Sequence, residues 1–245
     1  MATDLELLKI EMDTLWLSDD RGRLLYDLPN GRVAPFLVIA SSHEGRIVEI
    51  GSRVPDALAA ELRAAVLSAP PSDPSAPPAG MLRYAQLLEA AVGPVETSSG
   101  LSYVIPSAST FTSAAAIRRS NDADIEGLRH MNPPRANWSG EEWNALVDGA
   151  LGPWAMVTGD AQVIAICHSA RLTERGAEAG VWTDPDHRGQ GHAAAVTAAW
   201  ASLLAGSGRA LFYSTSSTNT SSQRVAARLN LRPIGWTWRL ASPRT

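Results

Sequence analysis

Residues 181–193 read Val-Trp-Thr-Asp-Pro-Asp-His-Arg-Gly-Gln-Gly-His-Ala. The first three are β-branched or aromatic and favour a strand, which the Asp-Pro-Asp turn then ends. Residues 193–204 are rich in helix formers. Gly189 and Gly191 have no Cβ, so the backbone can approach a ligand closely and direct N–H groups at it from the positive end of the helix. The stretch therefore predicts a strand, a glycine turn and a helix that bind a phosphate or pyrophosphate.

The spacing of these glycines excludes two common phosphate motifs. A dinucleotide-binding turn requires G-x-G-x-x-G followed by an acidic residue about 20 positions later, and the spacing here differs. A nucleoside-triphosphate loop requires a Lys after its last glycine, and none follows Gly191. A helix that is entered through a glycine turn without any ligand is the alternative at this point.

A second motif follows a predicted strand at Ala210–Ser214. Residues 219–231 read Asn-Thr-Ser-Ser-Gln-Arg-Val-Ala-Ala-Arg-Leu-Asn-Leu. Asn219 can cap the helix that this segment predicts and still present its amide to a ligand, and a plain cap is the alternative. The two motifs together are more specific than either alone, because both must occur in the right order.

The two motifs resemble those of the GCN5-related N-acetyltransferases, the GNAT superfamily. The family's acyl-CoA loop has Gln or Arg, two residues, Gly, one residue, then Gly or Ala, and Arg188, Gly191 and Ala193 match it. The family's next helix opens with Asn, two residues, then Ser or Ala, as at Asn219 and Ser222. The resemblance covers roughly residues 114–240. It implies an α/β fold with a mixed sheet, which is the GNAT acyl-CoA transferase fold, and acetyl-CoA as cosubstrate.

The resemblance also implies where acetyl-CoA binds. The strand before the loop and the strand after the following helix are expected to splay apart, so that the pantetheine arm pairs with the strand backbone and strand N–H groups stabilise the oxyanion. The implied cofactor-binding residues are Val181, Trp182, Thr183, Arg188, Gly189, Gln190, Gly191, His192, Ala193, Asn219 and Ser222.

Glu178 is our candidate for the general base that deprotonates an acceptor amine. It lies in Glu-Ala-Gly-Val-Trp-Thr, which resembles an E-x-G-V-x-T segment of some family members. Because strand residues alternate between faces, Glu178 could instead point to solvent. His168, on the preceding strand, is the second catalytic candidate, and an interior histidine without a chemical role is its alternative.

Ala226 departs from the family pattern. Many members have a Tyr at this position that protonates the leaving thiolate. Water can protonate a CoA thiolate, so we expect slower transfer rather than none. Tyr213 on the preceding strand could substitute, although packing is the simpler role. Asn230-Leu231 in place of Gly-Phe is a milder departure that affects packing only.

Two composition shifts predict the domain organisation. Residues 70–80 are too rich in proline for regular structure, and residues 106–113 are small and polar. We expect a small α+β domain at residues 1–105, a linker at 106–113 and the GNAT domain at 114–245. We expect the N-terminal domain to form one wall of the acceptor cleft or to mediate a homodimer. The alternative is that it covers the GNAT domain and has a purely structural role.

Periodicity and capping signals predict the elements of each domain. The N-terminal domain should contain a helix at Leu5–Leu17, strands at Phe36–Ala40 and Arg46–Ile50, and helices at Pro55–Ser68 and Met81–Val92. The C-terminal domain should follow the order β-α-α-β-β-β-α-β-α-β. Before the loop it has a strand at Ala114–Arg119, a helix to Met131, a helix capped by Ser139 and Glu142, a hairpin of Trp154–Thr158 and Gln162–Ser169, and a strand at Ala177–Thr183. The last strand is expected at Pro233–Leu240.

Composition narrows the class of protein further. Of 245 residues, 45% are hydrophobic and 19% are charged, which is typical of a folded globular protein. The net charge of −4 provides no basic surface, so we expect no nucleic-acid partner. No apolar run is long enough to span a membrane, and the acidic N-terminus lacks a signal-peptide layout, so we expect no membrane partner and a cytoplasmic location. The single cysteine, Cys167, excludes a Cys-cluster metal site, and we expect no metal.

The sequence thus predicts an acyl-CoA-dependent N-acyltransferase. We expect it to transfer acetyl from acetyl-CoA to a primary amine of a small molecule by direct attack in a ternary complex. One alternative is a degenerate module that binds acyl-CoA as a regulatory ligand without turnover. Another is an acetyltransferase that acts on a peptide or protein amine.

Overall fold

A computed structural model describes residues 2–28, 31–106, 111, 115–122, 126–131, 138–160 and 162–243. Within these ranges the helices are α1 Asp4–Leu15, α2 Asp56–Ser68, α3 Met81–Val92, α4 Glu126–Arg129, α5 Gly140–Val147, α6 His192–Leu203 and α7 Thr220–Arg228. The strands are β1 Trp16–Ser18, β2 Arg23–Asp27, β3 Leu37–Ser42, β4 Gly45–Gly51, β5 Glu96–Ile105, β6 Arg118–Arg119, β7 Trp154–Thr158, β8 Val163–Leu172, β9 Gly176–Thr183, β10 Ala210–Ser216 and β11 Arg232–Ala241.

The chain divides into two compact units. Unit 1 comprises Met1–Val104, Ser214–Thr220 and Arg232–Thr245, and unit 2 comprises Ile105–Tyr213 and Ser221–Leu231. Both contain helices and strands, and the strands pair in parallel and antiparallel fashion. The predicted α/β class with a mixed sheet is therefore confirmed. The division into domains at 1–105 and 114–245 stays a prediction.

Unit 1 is built on a sheet with strand order β1-β2-β4-β3-β11-β5. Strand β11 is antiparallel to both of its neighbours, β3 and β5, although it is the last strand of the chain. Apolar residues of β3 and β4 pack with α2 and α3 into one core. This core includes the fully buried residues Ile39, Ile50, Leu62 and Leu88.

Unit 2 is built on strands in the order β10-β9-β8-β7-β6. Strand β10 is parallel to β9, and the other pairs are antiparallel. The predicted hairpin is confirmed as β7 and β8, in which Trp154 lies opposite His168. Helix α6 packs against the sheet, where Trp200 is fully buried and its Nε1 donates to Ser169 Oγ at 3.0 Å. A separate apolar cluster is formed by residues of α5, β7 and β8, including Trp143, Leu146, Trp154 and Ile166.

Several predicted elements differ from those observed. Helix α1 ends at Leu15 rather than Leu17, because Trp16–Ser18 pair with β2. The strand expected at Ala114–Arg119 is observed only at Arg118–Arg119, and Ala114 lies outside the described residues. The helix expected to reach Met131 is the short α4, and the expected helix stop at residues 132–134 also lies outside them. Strands β1, β2 and β5 were not predicted from the sequence.

Candidate functional site

The glycine turn leads from β9 into helix α6. After Thr183 the chain makes a single 3₁₀ turn at Pro185–His187, which Asp184 caps by accepting from the Asp186 N–H at 3.0 Å. Its carboxylate also contacts His187 Nδ1 at 3.0 Å, and this contact is the main reason that the pKa of Asp184 is lowered. The turn is thus held by its own side chains.

The N-terminus of α6 has the properties of an anion site. Gly191 is its N-cap residue, with φ 87° and ψ 3°, and Gly189 has φ 81°. No side chain caps this end of the helix, and its first turn contains no acidic residue. The helix therefore presents backbone N–H groups and the positive end of its dipole without a compensating side chain.

The other loop residues have the following positions. Arg188 is exposed, with Nε 3.5 Å from the Thr183 carbonyl oxygen. His192 Nε2 lies 3.1 Å from Gln190 Oε1, which joins two predicted loop residues. Ala193 is half-buried in the first turn of α6 and accepts a hydrogen bond from Thr197. The structure therefore brings the predicted loop residues together around one helix end.

Strand β9 continues beyond its pairing with β10. The parallel pairing runs from Ala210 opposite Gly176 to Phe212 opposite Glu178, and no β10 residue of unit 2 pairs with residues 179–183. On its other side, β9 stays paired with β8 as far as Thr183. Within the described residues of unit 2, this side of β9 is unpaired at Val181, Trp182 and Thr183, and it leads directly into the glycine turn. An extended ligand could add to this edge as a strand would.

Glu178 and His168 lie on the neighbouring strands β9 and β8. Glu178 is 4% exposed, so the alternative that it points to solvent is wrong. His168 lies opposite Gly180, two residues beyond Glu178 on β9. Side chains two apart on a strand share a face, and directly opposed residues do so as well. The two predicted catalytic side chains are therefore neighbours on one face of the sheet.

Burial strongly affects His168. It lowers the pKa of the imidazole to about 4, despite a backbone contact with Gly180 that acts in the opposite direction. The ring packs edge-on against Trp138, with centroids 4.7 Å apart. At neutral pH His168 is therefore a neutral imidazole and only a weak base. A carboxylate that takes the ammonium proton therefore has to come from Glu178, the other predicted catalytic residue.

The second motif forms the start of α7. Asn219 immediately precedes the helix and belongs to unit 1, whereas Ser222 belongs to unit 2. The Tyr213 hydroxyl lies 2.7 Å from Ser222 Oγ and thus ties β10 to the first turn of α7. Ala226 is fully buried. This position therefore offers no proton donor, and the Tyr213 hydroxyl already has a partner.

Asn230 explains how the helix ends without the family's glycine. Its φ is 50°, in the left-handed region, which Asn tolerates better than most residues. The Leu231 N–H donates to the Ala226 carbonyl at 3.0 Å, which closes the end of the helix. The Asn-for-Gly departure thus preserves the backbone geometry of this segment.

Arg228, the last residue of α7, also lies at the glycine turn and was not predicted from the sequence. Its Nη1 lies 3.0 Å from the position that a Cβ on Gly191 would take. A basic residue in the last turn of a helix was the only local signal, and that signal is equally explained by the helix dipole. Among the described residues, no group of His, Cys, Asp or Glu side chains could hold a metal ion. No helix in the described ranges has the length and hydropathy of a membrane span.

Comparison with known proteins finds one matching family model and several similar structures. Residues 112–232 match the acetyltransferase (GNAT) domain family. No curated protein matches the sequence. A conserved protein of unknown function from Staphylococcus epidermidis is similar in structure at 12% identity over 98% of each chain, with a TM-score of 0.53.

Two further structures come from proteins assigned to the GNAT family. One, from Novosphingobium aromaticivorans, is 20% identical over 61% of this chain and 66% of its own, with a TM-score of 0.44. The other, from Colwellia psychrerythraea, is 15% identical over 67% and 63%, with a TM-score of 0.46. The chain thus spans less than two-thirds of either protein. The predicted resemblance to the GNAT family is confirmed by the match of residues 112–232 to the acetyltransferase (GNAT) domain.

Proposed function

We propose that the protein is an acyl-CoA-dependent N-acyltransferase that transfers acetyl from acetyl-CoA to a primary amine of a small molecule. One observation carries the proposal: the unpaired side of β9 leads directly into a glycine turn at the uncapped N-terminus of α6. The strand edge suits an amide-containing arm, and the helix end suits a pyrophosphate. Acetyl-CoA contains both groups in that order.

The donor would be held mainly by backbone groups. The N–H groups of residues 189–193 would bind the pyrophosphate, while residues 181–183 would pair with the pantetheine amides. A β9 N–H group would also donate to the thioester oxygen as it gains negative charge. Ser222 would contact the donor from the first turn of α7, and a contact with Asn219 stays a prediction from the sequence. Because most of these contacts come from the backbone, side-chain identity matters chiefly at the two glycines.

Glu178 would act as the general base. A primary amine is protonated at neutral pH and must lose a proton before its nitrogen can attack the thioester carbon. Glu178 would accept that proton, directly or through one water molecule. His168 would stay neutral beside it and help to shape the acceptor site. The C–N bond then forms, the nitrogen releases its second proton to water, the C–S bond breaks, and the sulfur leaves as a thiolate.

The thiolate must gain a proton without help from residue 226, because Ala226 is fully buried and has no acidic group. Water is the simplest donor. The same observation favours a second candidate function, a regulatory module that binds acyl-CoA without turnover. A peptide or protein amine is a further candidate acceptor within the enzyme class.

Calorimetric titration with CoA, followed by thiol release from acetyl-CoA over a panel of amines, separates these functions. Binding together with amine-dependent release supports the transferase. Binding without release on any small amine or peptide favours the module, and an absence of CoA binding would contradict both.

Gly191→Glu tests the location of the donor site. The new carboxylate would lie at the helix end that binds phosphate, so we expect CoA binding to be lost. Gly206→Glu is the matched control, because Gly206 has φ 79° and open space around it in the turn after α6. If Gly191→Glu retains the affinity of Gly206→Glu, the site is not at this turn.

A further inference from the structure

Arg228 reaches the glycine turn from a different helix. The end of α7 places its guanidinium beside Gly191, with Nη1, Cζ and Nη2 at 3.0, 3.2 and 3.5 Å from the position of a Gly191 Cβ. Any larger residue at 191 would displace this group. The absence of a side chain at Gly191 therefore serves two purposes: it permits the positive φ and leaves room for a cation.

This cation has no acidic partner in the described part of the chain. Arg228 is exposed, and it forms no ion pair or side-chain hydrogen bond there. The first turn of α6 also lacks an acidic residue. A guanidinium beside the positive end of a helix is electrostatically unfavourable unless an anion lies between them. The guanidinium and the helix end together therefore favour a ligand that carries more than one negative charge.

We propose that Arg228 is a phosphate-binding residue that strengthens and selects the donor at this site. The inference rests on the proposed function, and it assigns to Arg228 a role that neither motif of the sequence indicated. The backbone N–H groups of the turn would hold one phosphate, and the guanidinium would add a charge-assisted, bidentate contact. The partner is a phosphate group of acyl-CoA, either in the pyrophosphate or at the 3′ position of the ribose.

Arg228→Gln and Arg228→Lys test the proposal by calorimetry with CoA. We expect Arg228→Gln to weaken binding about tenfold or more, since a contact to a charged group is lost. Arg228→Lys should retain part of the affinity, because it keeps the charge but not the bidentate geometry. The matched control is Arg175→Gln, which removes an exposed arginine just before β9, at the opposite end of that strand from the turn.

Dephospho-CoA, which lacks the 3′-phosphate, distinguishes the two sources of phosphate. If the effect of Arg228→Gln is equally large with dephospho-CoA, the contact is to the pyrophosphate. If the effect disappears, the contact is to the 3′-phosphate. Either result supports the proposal. The affinity of Arg228→Gln should also depend less on salt concentration than that of the wild type.

If the wild type binds CoA and Arg228→Gln, shown to be folded by circular dichroism, binds it equally well, Arg228 has no role in donor binding and the proposed function stands. If the wild type itself does not bind CoA, both the proposed function and this inference fail.

Discussion

The imidazole of His168 occupies the space beside Gly180 that a β-carbon would need. The two residues lie directly opposite each other in the β8–β9 ladder. A Cβ on Gly180 would lie 2.8 Å from His168 Nε2, closer still to Cε1, and 2.9 Å from the Ala170 Cβ. The histidine opposite position 180 therefore leaves room only for glycine there. Substitutions at the two positions should have coupled effects on the free energy of unfolding.

Gly180→Ala should destabilise unit 2 by about 1–3 kcal/mol, the usual cost of overpacking a well-filled site. Removing the imidazole in the double variant Gly180→Ala/His168→Ala should recover part of this loss. Gly140→Ala, where a Cβ has open space, is the control. Urea unfolding is measured for the wild type, Gly180→Ala, His168→Ala, the double variant and the control, and additive effects of the two substitutions would contradict the coupling.

His168 should also make stability depend on pH. Its folded pKa of about 4 lies below the ordinary value of 6.5, so the unfolded chain binds the proton more readily. The contribution of His168 to the free energy of unfolding is therefore fully present above about pH 6.5. It falls by roughly 3 kcal/mol as the pH drops towards 4. Urea unfolding at several pH values should show a shallower decline in His168→Gln. Parallel profiles for the two proteins would refute the assigned shift.

Glu178→Gln should reduce amine-dependent thiol release on the order of a hundredfold, because the amide cannot accept the ammonium proton. Affinity for CoA should stay within about twofold. Glu174→Gln, at the exposed turn between β8 and β9, is the control. Steady-state kinetics with the best amine of the panel provides the measurement. An unchanged rate would remove Glu178 from the mechanism, while a loss of CoA affinity would indicate a structural role.

Ser139→Ala should destabilise α5 by about 1 kcal/mol. Ser139 Oγ accepts from the Glu142 N–H at 3.2 Å, and the Glu142 carboxylate accepts from the Ser139 N–H at 2.8 Å. Ser139→Asp retains a capping oxygen and should be close to wild type in thermal unfolding. Equal melting temperatures for all three proteins would show that this capping box contributes nothing measurable.

The same capping box supplies a second pH dependence. Hydrogen bonding to the Ser139 backbone lowers the pKa of Glu142 below its ordinary value of 4.5. The stabilisation is thus present above that value and is lost as the pH falls through the folded pKa. It is expected to be small, because the carboxylate is exposed.

Patterns in the sequence predicted the elements that are determined by residues close together in the chain. The capping box at Ser139, the β7–β8 hairpin and the glycine turn all follow from residues close together in sequence. Strand β5 could not be found in this way, because its first half, Glu-Thr-Ser-Ser-Gly, has neither alternation nor β-branched residues beyond one Thr. It is a strand because β11 pairs along its length.

The sequence likewise predicted those parts of the candidate site that depend on neighbouring residues, but not the contacts between distant ones. The motif around Gly191 identified the turn, but not the guanidinium that lies against it, because Arg228 comes from a helix distant in sequence. The Tyr213–Ser222 hydrogen bond likewise depends on how α7 lies against β10. Strand alternation predicts burial only where one face of a sheet is open to solvent. Both faces of this part of the sheet are covered, so alternation could not predict that Glu178 and His168 are buried.

The position of β11 constrains the order in which the chain can fold during synthesis. Its partners β3 and β5 leave the ribosome long before it does, and until then both expose the edges that β11 will cover. An N-terminal fragment that ends before β11 therefore carries two unprotected strand edges of the kind that promote aggregation. Both edges are therefore covered only after β11 has been synthesised and has paired with β3 and β5.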